Sequence, residues 1–207
     1  MQTILLATRN RKKLAELQDL LSGTTAACRF VTIDDVAVRV PEVEEDGATF
    51  VENARKKALV LAAASGLLTL ADDSGLSVDA LAGAPGVRSA RFAGEPCDDA
   101  RNNALLLARM EGVRERGAQF HCVLALADPA GRCETVAGIC RGTLLESRCG
   151  AEGFGYDPLF VPEGYRESFA VLGAAHKQCI SHRAVALRKA LDLWLRDGRF
   201  CFAGDRG

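Results

Sequence analysis

Short apolar runs alternate along this chain with longer stretches in which leucine and alanine recur every three or four residues, a rhythm that predicts alternating strands and helices. TILLA (3–7) reads as an interior strand. KKLAELQDLLSG then carries Leu14, Leu17, Leu20 and Leu21 at helical spacing, with Gly23 placed to stop the helix. RFVTI (29–33) and VAVRV (36–40) read as one strand or two, and PEVEEDGA as an acidic loop. In TFVENARKKALVLAAASG, Thr49 and Glu52 form an S/T-x-x-E capping box and Gly66 stands at a C-cap position, predicting a long helix. LLTLA is the next strand. It delivers ADDSGL (71–76) to a strand's C-terminal end, where open α/β sheets place their ligands.

Further along, GAPG (83–86) is a turn, and DDARNNALLLARMEG (98–112) is an amphipathic helix with Leu105, Leu106 and Met110 available for burial. AQFHCVLALA and CETVAGICRGTLL form a hairpin through DPAGR. GAEGFGYDPLFVP (150–162) is a glycine-rich loop running into a strand. SHRAVALRKALDLWLRDG closes the chain as a helix, with Ser181 as N-cap and Leu187, Leu191, Trp194 and Leu195 on one face. The expectation is an α/β fold with a mixed sheet flanked by helices, one domain over residues 1–207.

Composition narrows the function classes. At 207 residues and 48% hydrophobic the chain can bury a substantial core, and a net charge of −1 lacks the global basic footprint that holds nucleic acid by its phosphates. The eight cysteines show no C-x-x-C pair and no metal-ligand spacing, so reduced thiols are expected. MQTILLATRNRKK places its apolar run before its basic residues, the reverse of a signal peptide, and no apolar stretch is long enough to span a bilayer. A cytoplasmic protein with no membrane partner is the expectation.

Charge is concentrated in four local clusters. TRNRKK, holding Thr8, Arg9, Asn10, Arg11, Lys12 and Lys13, puts cations at a helix N-terminus, where the dipole disfavours them and a phosphate would reverse the sign; the alternative is an ordinary capped helix start. Glu44 and Glu45, with Arg55, Lys56 and Lys57, form either a solvated charged face or part of a site. Asp72 and Asp73 raise a question, because adjacent buried carboxylates make each other's ionisation costly. They mark either a polar turn or a site for a hard divalent cation. GFGYDP with HKQCISHR gathers Phe154 and Tyr156 as flat faces for stacking, near His176, Lys177, His182 and Arg183; the alternative is a loop and a basic cap. His121, inside a predicted strand, reads as structural. Acidic groups for a cation, basic groups for phosphates and an aromatic loop for a base together describe a nucleoside triphosphate site.

With these residues in hand, the chain resembles the inosine triphosphate pyrophosphatase family, enzymes that remove non-canonical purine nucleoside triphosphates. LATRNRKKLAEL, EEDGATFVENARKKA, ADDSGLSVDALAGAPGVRSARFAG, FHCVLAL, GFGYDPLF and HKQCISHRAVAL occur in the family's order across nearly the whole chain. The resemblance implies an elongated mixed α/β fold of two lobes with the active site in the cleft between them, usually as a homodimer. It implies that Thr8, Asn10 and Lys13 hold the triphosphate with Lys57, and that Glu45 and Asp73 serve Mg2+. Asp73 would also accept a proton from water. Ser74 would contact substrate, Phe154 would stack on the base beside Gly155, Tyr156 and Asp157, and Lys177, His182 and Arg183 would frame base and sugar. The implied reaction splits the α–β phosphoanhydride of ITP, dITP or XTP. Rival readings are a pyrophosphatase for pyrimidine or other modified nucleotides, and a non-catalytic nucleotide sensor. Arg9, Arg88 and His176 depart from residues common in the family without removing a metal or phosphate residue.

Overall fold

The computed structural model describes residues 1–22, 27–196 and 199–205. Among these residues six strands form one sheet: β1 (Gln2–Leu6), β2 (Cys28–Thr32), β3 (Leu68–Val78), β4 (Gly117–Ala127), β5 (Cys133–Leu144) and β6 (Phe160–Pro162), in the order β2-β1-β3-β4-β5-β6. β1 runs parallel to β2 and β3, and β5 antiparallel to β6, so the sheet is mixed. Among the described residues five α-helices accompany it: α1 (Arg11–Leu21), α2 (Phe50–Ser65), α3 (Asp99–Arg109), α4 (Phe169–Ile180) and α5 (His182–Trp194).

The chain forms two compact units, the first from Met1–Asp73, Cys122–Gly138 and Ala186–Gly207, the second from Ser74–His121 and Ile139–Val185. In the first, the period-two alternation of β1 and β3 serves two cores. Ile4, Leu6 and Leu70 pack with Leu17 and Leu21 of α1 and Leu187, Ala190 and Trp194 of α5, while Leu5, Ala7 and Ala71 pack with Ala54, Ala58, Leu61 and Ala62 of α2. In the second, Leu76, Val78, Phe120, Phe160 and Phe169 pack with Leu106 of α3 and with Met110, its C-cap.

The caps follow the sequence closely. Thr49 accepts from the Glu52 N–H at 3.1 Å, the Glu52 carboxylate accepts from the Ala48 N–H at 2.7 Å, one residue before the N-cap Thr49 of the expected box, and Gly66 closes α2 with φ 71°, a conformation that favours glycine. Ser181 Oγ accepts from the Ala184 N–H at 3.2 Å, as expected for the start of α5.

Three expectations are corrected, and one further helix is present. ADDSGL does not end a strand: β3 continues through it to Val78, so the reading of a polar turn falls. VAVRV forms no strand; Val36 caps a short 3-10 turn (Ile33–Asp35), and Val40 is buried against α2. α4 has no signature in the sequence, because Gly173, at φ 78°, divides it into two short pieces, neither long enough to show an apolar stripe. α5 ends at Trp194, and Leu195 belongs to a short strand, β7 (Leu195–Arg196), antiparallel to β8 (Arg199–Phe200). Gly23 lies outside the described residues; Ser22 occupies the C-cap of α1.

All eight cysteines are free. Among the described residues no helix is long and apolar enough to cross a membrane.

Candidate active site

In the first unit, α1, α2 and β3 bring charged groups of both signs together. Strand alternation answers the question of adjacent aspartates: neighbouring residues project to opposite faces, so Asp72 and Asp73 are not each other's main neighbours. Asp72, 1% exposed, meets Lys13 of α1 at 3.2 Å. Asp73, 3% exposed, accepts from Asn53 Nδ2 of α2 at 3.0 Å. The unfavourable N-terminal position of Lys13 is thereby offset by a buried carboxylate one strand away.

α2 buries a stripe of Asn53, Ala54, Lys57, Ala58, Leu61 and Ala62. Its two polar members, one helical turn apart, both face charge. Lys57 forms an ion pair with Glu45. Burial alone would lower the Lys57 pKa, but Asp72, Glu45 and Asp73 outweigh it and hold the ammonium above its ordinary value. Asn53 also accepts from the Gly47 N–H at 2.7 Å, fixing the acidic loop that carries Glu45; a Cβ at Gly47 would collide with that amide.

Burial is the largest influence on Asp73 and pushes its carboxyl up to about 6. Lys13 opposes the rise, Glu45 adds to it, and Lys57 and the Asn53 hydrogen bond again oppose it. Three carboxylates, Glu45, Asp72 and Asp73, thus face two ammonium groups, Lys13 and Lys57. Among the described residues no group of three or more His, Cys, Asp or Glu side chains is placed to cage a metal alone. Of the three carboxylates, Glu45 and Asp73 beside the two lysines instead suit a hard cation that arrives with phosphate oxygens and keeps some of its waters.

The N-terminus of α1 is capped by its own sequence. Asn10 Oδ1 accepts from the Lys12 and Lys13 N–H groups at 3.0 and 3.2 Å, and Thr8 Oγ1 accepts from the Asn10 N–H at 3.2 Å. Arg9, Arg11 and Lys12 are exposed, and no acidic residue occupies the first turn. This end of the helix therefore keeps a surplus of positive charge.

In the second unit, the glycine-rich loop presents Phe154, half-buried, with Lys177 Nζ 4.7 Å and Arg183 5.9 Å from its ring centre. Asp157 Oδ2 accepts from Lys177 Nζ at 2.7 Å and from the Phe154 N–H at 2.8 Å, so one buried carboxylate fixes both cation and loop. Arg183, 1% exposed, donates to Ser74 Oγ at 3.1 Å. His182 stacks on Phe120, with ring centres 4.7 Å apart and planes 12° from parallel. Tyr156 offers no face for stacking. It is 3% exposed in the core, its hydroxyl donates to the Ser89 carbonyl at 2.9 Å, and burial with the nearby Asp99 raises its pKa. Arg88 and His176 are exposed, the latter bonding the Leu172 carbonyl through Nδ1.

Three residues that sequence reasoning passed over are built into these groups: Asn53, Asp99 and Asn103. Asn53 had a readable signal, a polar side chain on an otherwise apolar helical stripe. Asp99 and Asn103 had none, because their partner, Gly155, lies 56 and 52 residues away along the chain.

Residues 4–193 match the model of the Ham1 family. A dITP/XTP pyrophosphatase of Desulforamulus reducens is 52% identical over 192 residues, covering 92% of this chain and 94% of that protein. One of Nocardia farcinica is 50% identical over 194 residues, covering 92% and 94%. Among solved structures, a HAM1 protein from Coxiella burnetii superposes with a TM-score of 0.83 at 40% identity, covering 91% of this chain and 96% of that one. A nucleoside-triphosphatase and dITP/XTP pyrophosphatase from Mycobacterium abscessus gives 0.76 at 44% identity, covering 92% and 99%.

Proposed function

This chain belongs to the Ham1 family, and we propose from that premise that it hydrolyses non-canonical purine nucleoside triphosphates, ITP, dITP and XTP, to the monophosphate and pyrophosphate. Relatives carrying that activity in their names match it along nearly their whole length. The observation that carries the residue-level reading is Asp73, a buried carboxylate raised to about 6 among lysines and a second acid. Such a group is a stronger base than an ordinary aspartate, yet it is mostly ionised at neutral pH.

Asp73 accepts the proton of the attacking water, oriented by Asn53. Thr8, Asn10, Lys13 and Lys57, with the positive end of α1, hold the triphosphate and position the leaving pyrophosphate. The residues that would hold Mg2+ are Glu45 and Asp73; when bound, the ion supplies charge neutralisation at the phosphate oxygens. Phe154 stacks on the base. Lys177, held by Asp157, together with His182 and Arg183, presents donors to the 6-oxo acceptor of hypoxanthine or xanthine. Adenine would set an amino donor against those donors, a mismatch that discriminates strongly. The single domain acts in the cytoplasm as a homodimer, without nucleic acid or membrane; the absence of disulfide-like cysteine spacing and the near-neutral net charge support that setting.

The test is direct: the protein is incubated with ITP and Mg2+, and pyrophosphate and orthophosphate are measured separately for the native chain and for Asp73→Asn. Pyrophosphate as first product from the native chain, lost in the variant, is the expected result. Orthophosphate first, or an undiminished variant, refutes the reading.

A further inference from the structure

Gly155, the residue after Phe154, is gripped on both of its backbone groups by a single helix. Its N–H donates to Asp99 Oδ2 at 3.0 Å, and its carbonyl accepts from Asn103 Nδ2 at 2.8 Å. Asp99 and Asn103 stand four residues apart on α3, the spacing that stacks two side chains on one helical face. Asn103 Nδ2 also donates to the Asp99 carbonyl at 2.5 Å. Both contacts of this nitrogen are to carbonyl oxygens, so only the NH2 end of the amide can occupy the position.

Asn103 is 1% exposed, and its Oδ1 has no hydrogen-bond partner among the described residues. Burying an amide with its acceptor unsatisfied is unfavourable, and core packing alone would be better served by an apolar side chain. What the amide secures is the Gly155 carbonyl. The loop is held from its other side as well, because Asp157 takes the Phe154 N–H and a Cβ at Gly153 would collide with that carboxylate. The peptide groups on both sides of the Phe154 Cα are therefore fixed.

We propose that Asp99 and Asn103 are positioning residues that set the Phe154 ring for the purine base. The inference rests on the reading of Phe154 as the stacking face. Fixing the backbone on either side of an aromatic leaves only its two side-chain torsions to be ordered, which lowers the cost of stacking. Stacking acts alike on ground and transition states, so its loss raises KM while kcat is held.

The test compares kcat and KM for ITP in Asp99→Ala, Asp99→Asn, Phe154→Ala and the double variant Asp99→Ala/Phe154→Ala. Asp99 is exposed, so its truncation leaves the core intact. Losing this one hydrogen bond should raise KM about three- to tenfold and move kcat less than about twofold. Asp99→Asn retains an acceptor oxygen and should recover most of the loss. In the Phe154→Ala background, Asp99→Ala should add nothing, since the ring it positions is gone. If Phe154→Ala raises KM but Asp99→Ala does not, the inference fails while the stacking reading stands. If Phe154→Ala leaves KM unchanged, the stacking reading falls and the inference with it. Fully additive effects in the double variant show that Asp99 acts other than through the ring, and also overturn it.

Discussion

Replacing Asp73 with asparagine should move chemistry and stability in opposite directions. The Asp73 carboxyl rises from an ordinary 3.8 to about 6, first through burial. The folded state therefore binds this proton more tightly than the unfolded chain, and folding stability falls as pH rises from about 4 to about 6. Below that window the group is neutral in both states and imposes no penalty; above it the whole penalty is present. At ~1.4 kcal/mol per pH unit the penalty is ~3 kcal/mol. Asparagine has nearly the same shape, can still accept from Asn53 Nδ2, and carries no charge to desolvate. At pH 7.5 in EDTA the variant should be more stable by ~2–3 kcal/mol, or ~4–12 °C in Tm for a chain of this size. At pH 4 the two melting curves should nearly coincide. In the same preparation, kcat for ITP with Mg2+ should fall ~10²–10⁴-fold through loss of the positioned base. Thermal melting across pH 4–8 and a pyrophosphate-release assay read the two effects. A variant no more stable than the native chain at pH 7.5 would refute the electrostatic argument, and one that keeps more than about a tenth of kcat would refute the catalytic one.

Other expectations are simpler to check. Phe154→Ala should raise KM for ITP by the equivalent of roughly 1–3 kcal/mol with a smaller effect on kcat; steady-state kinetics decides it. Excess EDTA should abolish pyrophosphate release and added Mg2+ restore it, because Glu45 and Asp73 suit a hard cation; full activity in EDTA removes the metal from the reaction. Tyr156→Phe deletes the hydroxyl that donates to the Ser89 carbonyl and should cost roughly 1–2 kcal/mol in denaturant unfolding while leaving kcat near the native value. A large loss of kcat in that folded variant would return Tyr156 to the chemistry.

Much of the candidate site was legible because its residues advertise a local conflict. Lys13 opposes the helix dipole at an N-terminus, Asp72 and Asp73 interrupt an apolar run, and Asn53 and Lys57 interrupt an apolar helical stripe; each is a departure from pattern that sequence displays. Tyr156, whose ring is buried and not open for stacking, shows the opposite case. An aromatic in a glycine-rich loop looks available for stacking, but whether its ring faces ligand or core depends on the packing of distant residues such as Ser89.

The sequence by itself determined the alternation of strands and helices, the capping of α2 and α5, and the hairpin of β4 and β5, because these depend on residues within a few positions of one another. It also carried the family, whose motifs stand in order along the chain. Only the tertiary structure decided that β3 runs straight through ADDSGL, since a strand persists through polar residues when partners on both faces meet them, here Lys13 for Asp72 and Asn53 for Asp73. It alone placed α4, whose central Gly173 hides the helical period, and ended α5 at Trp194, where Leu195 pairs with Phe200. And it alone joined Asp99 and Asn103 to Gly155, contacts between a helix and a loop 56 and 52 residues away that no local pattern encodes, because hydrogen bonds across such a distance are selected by the packed core and not by neighbouring sequence.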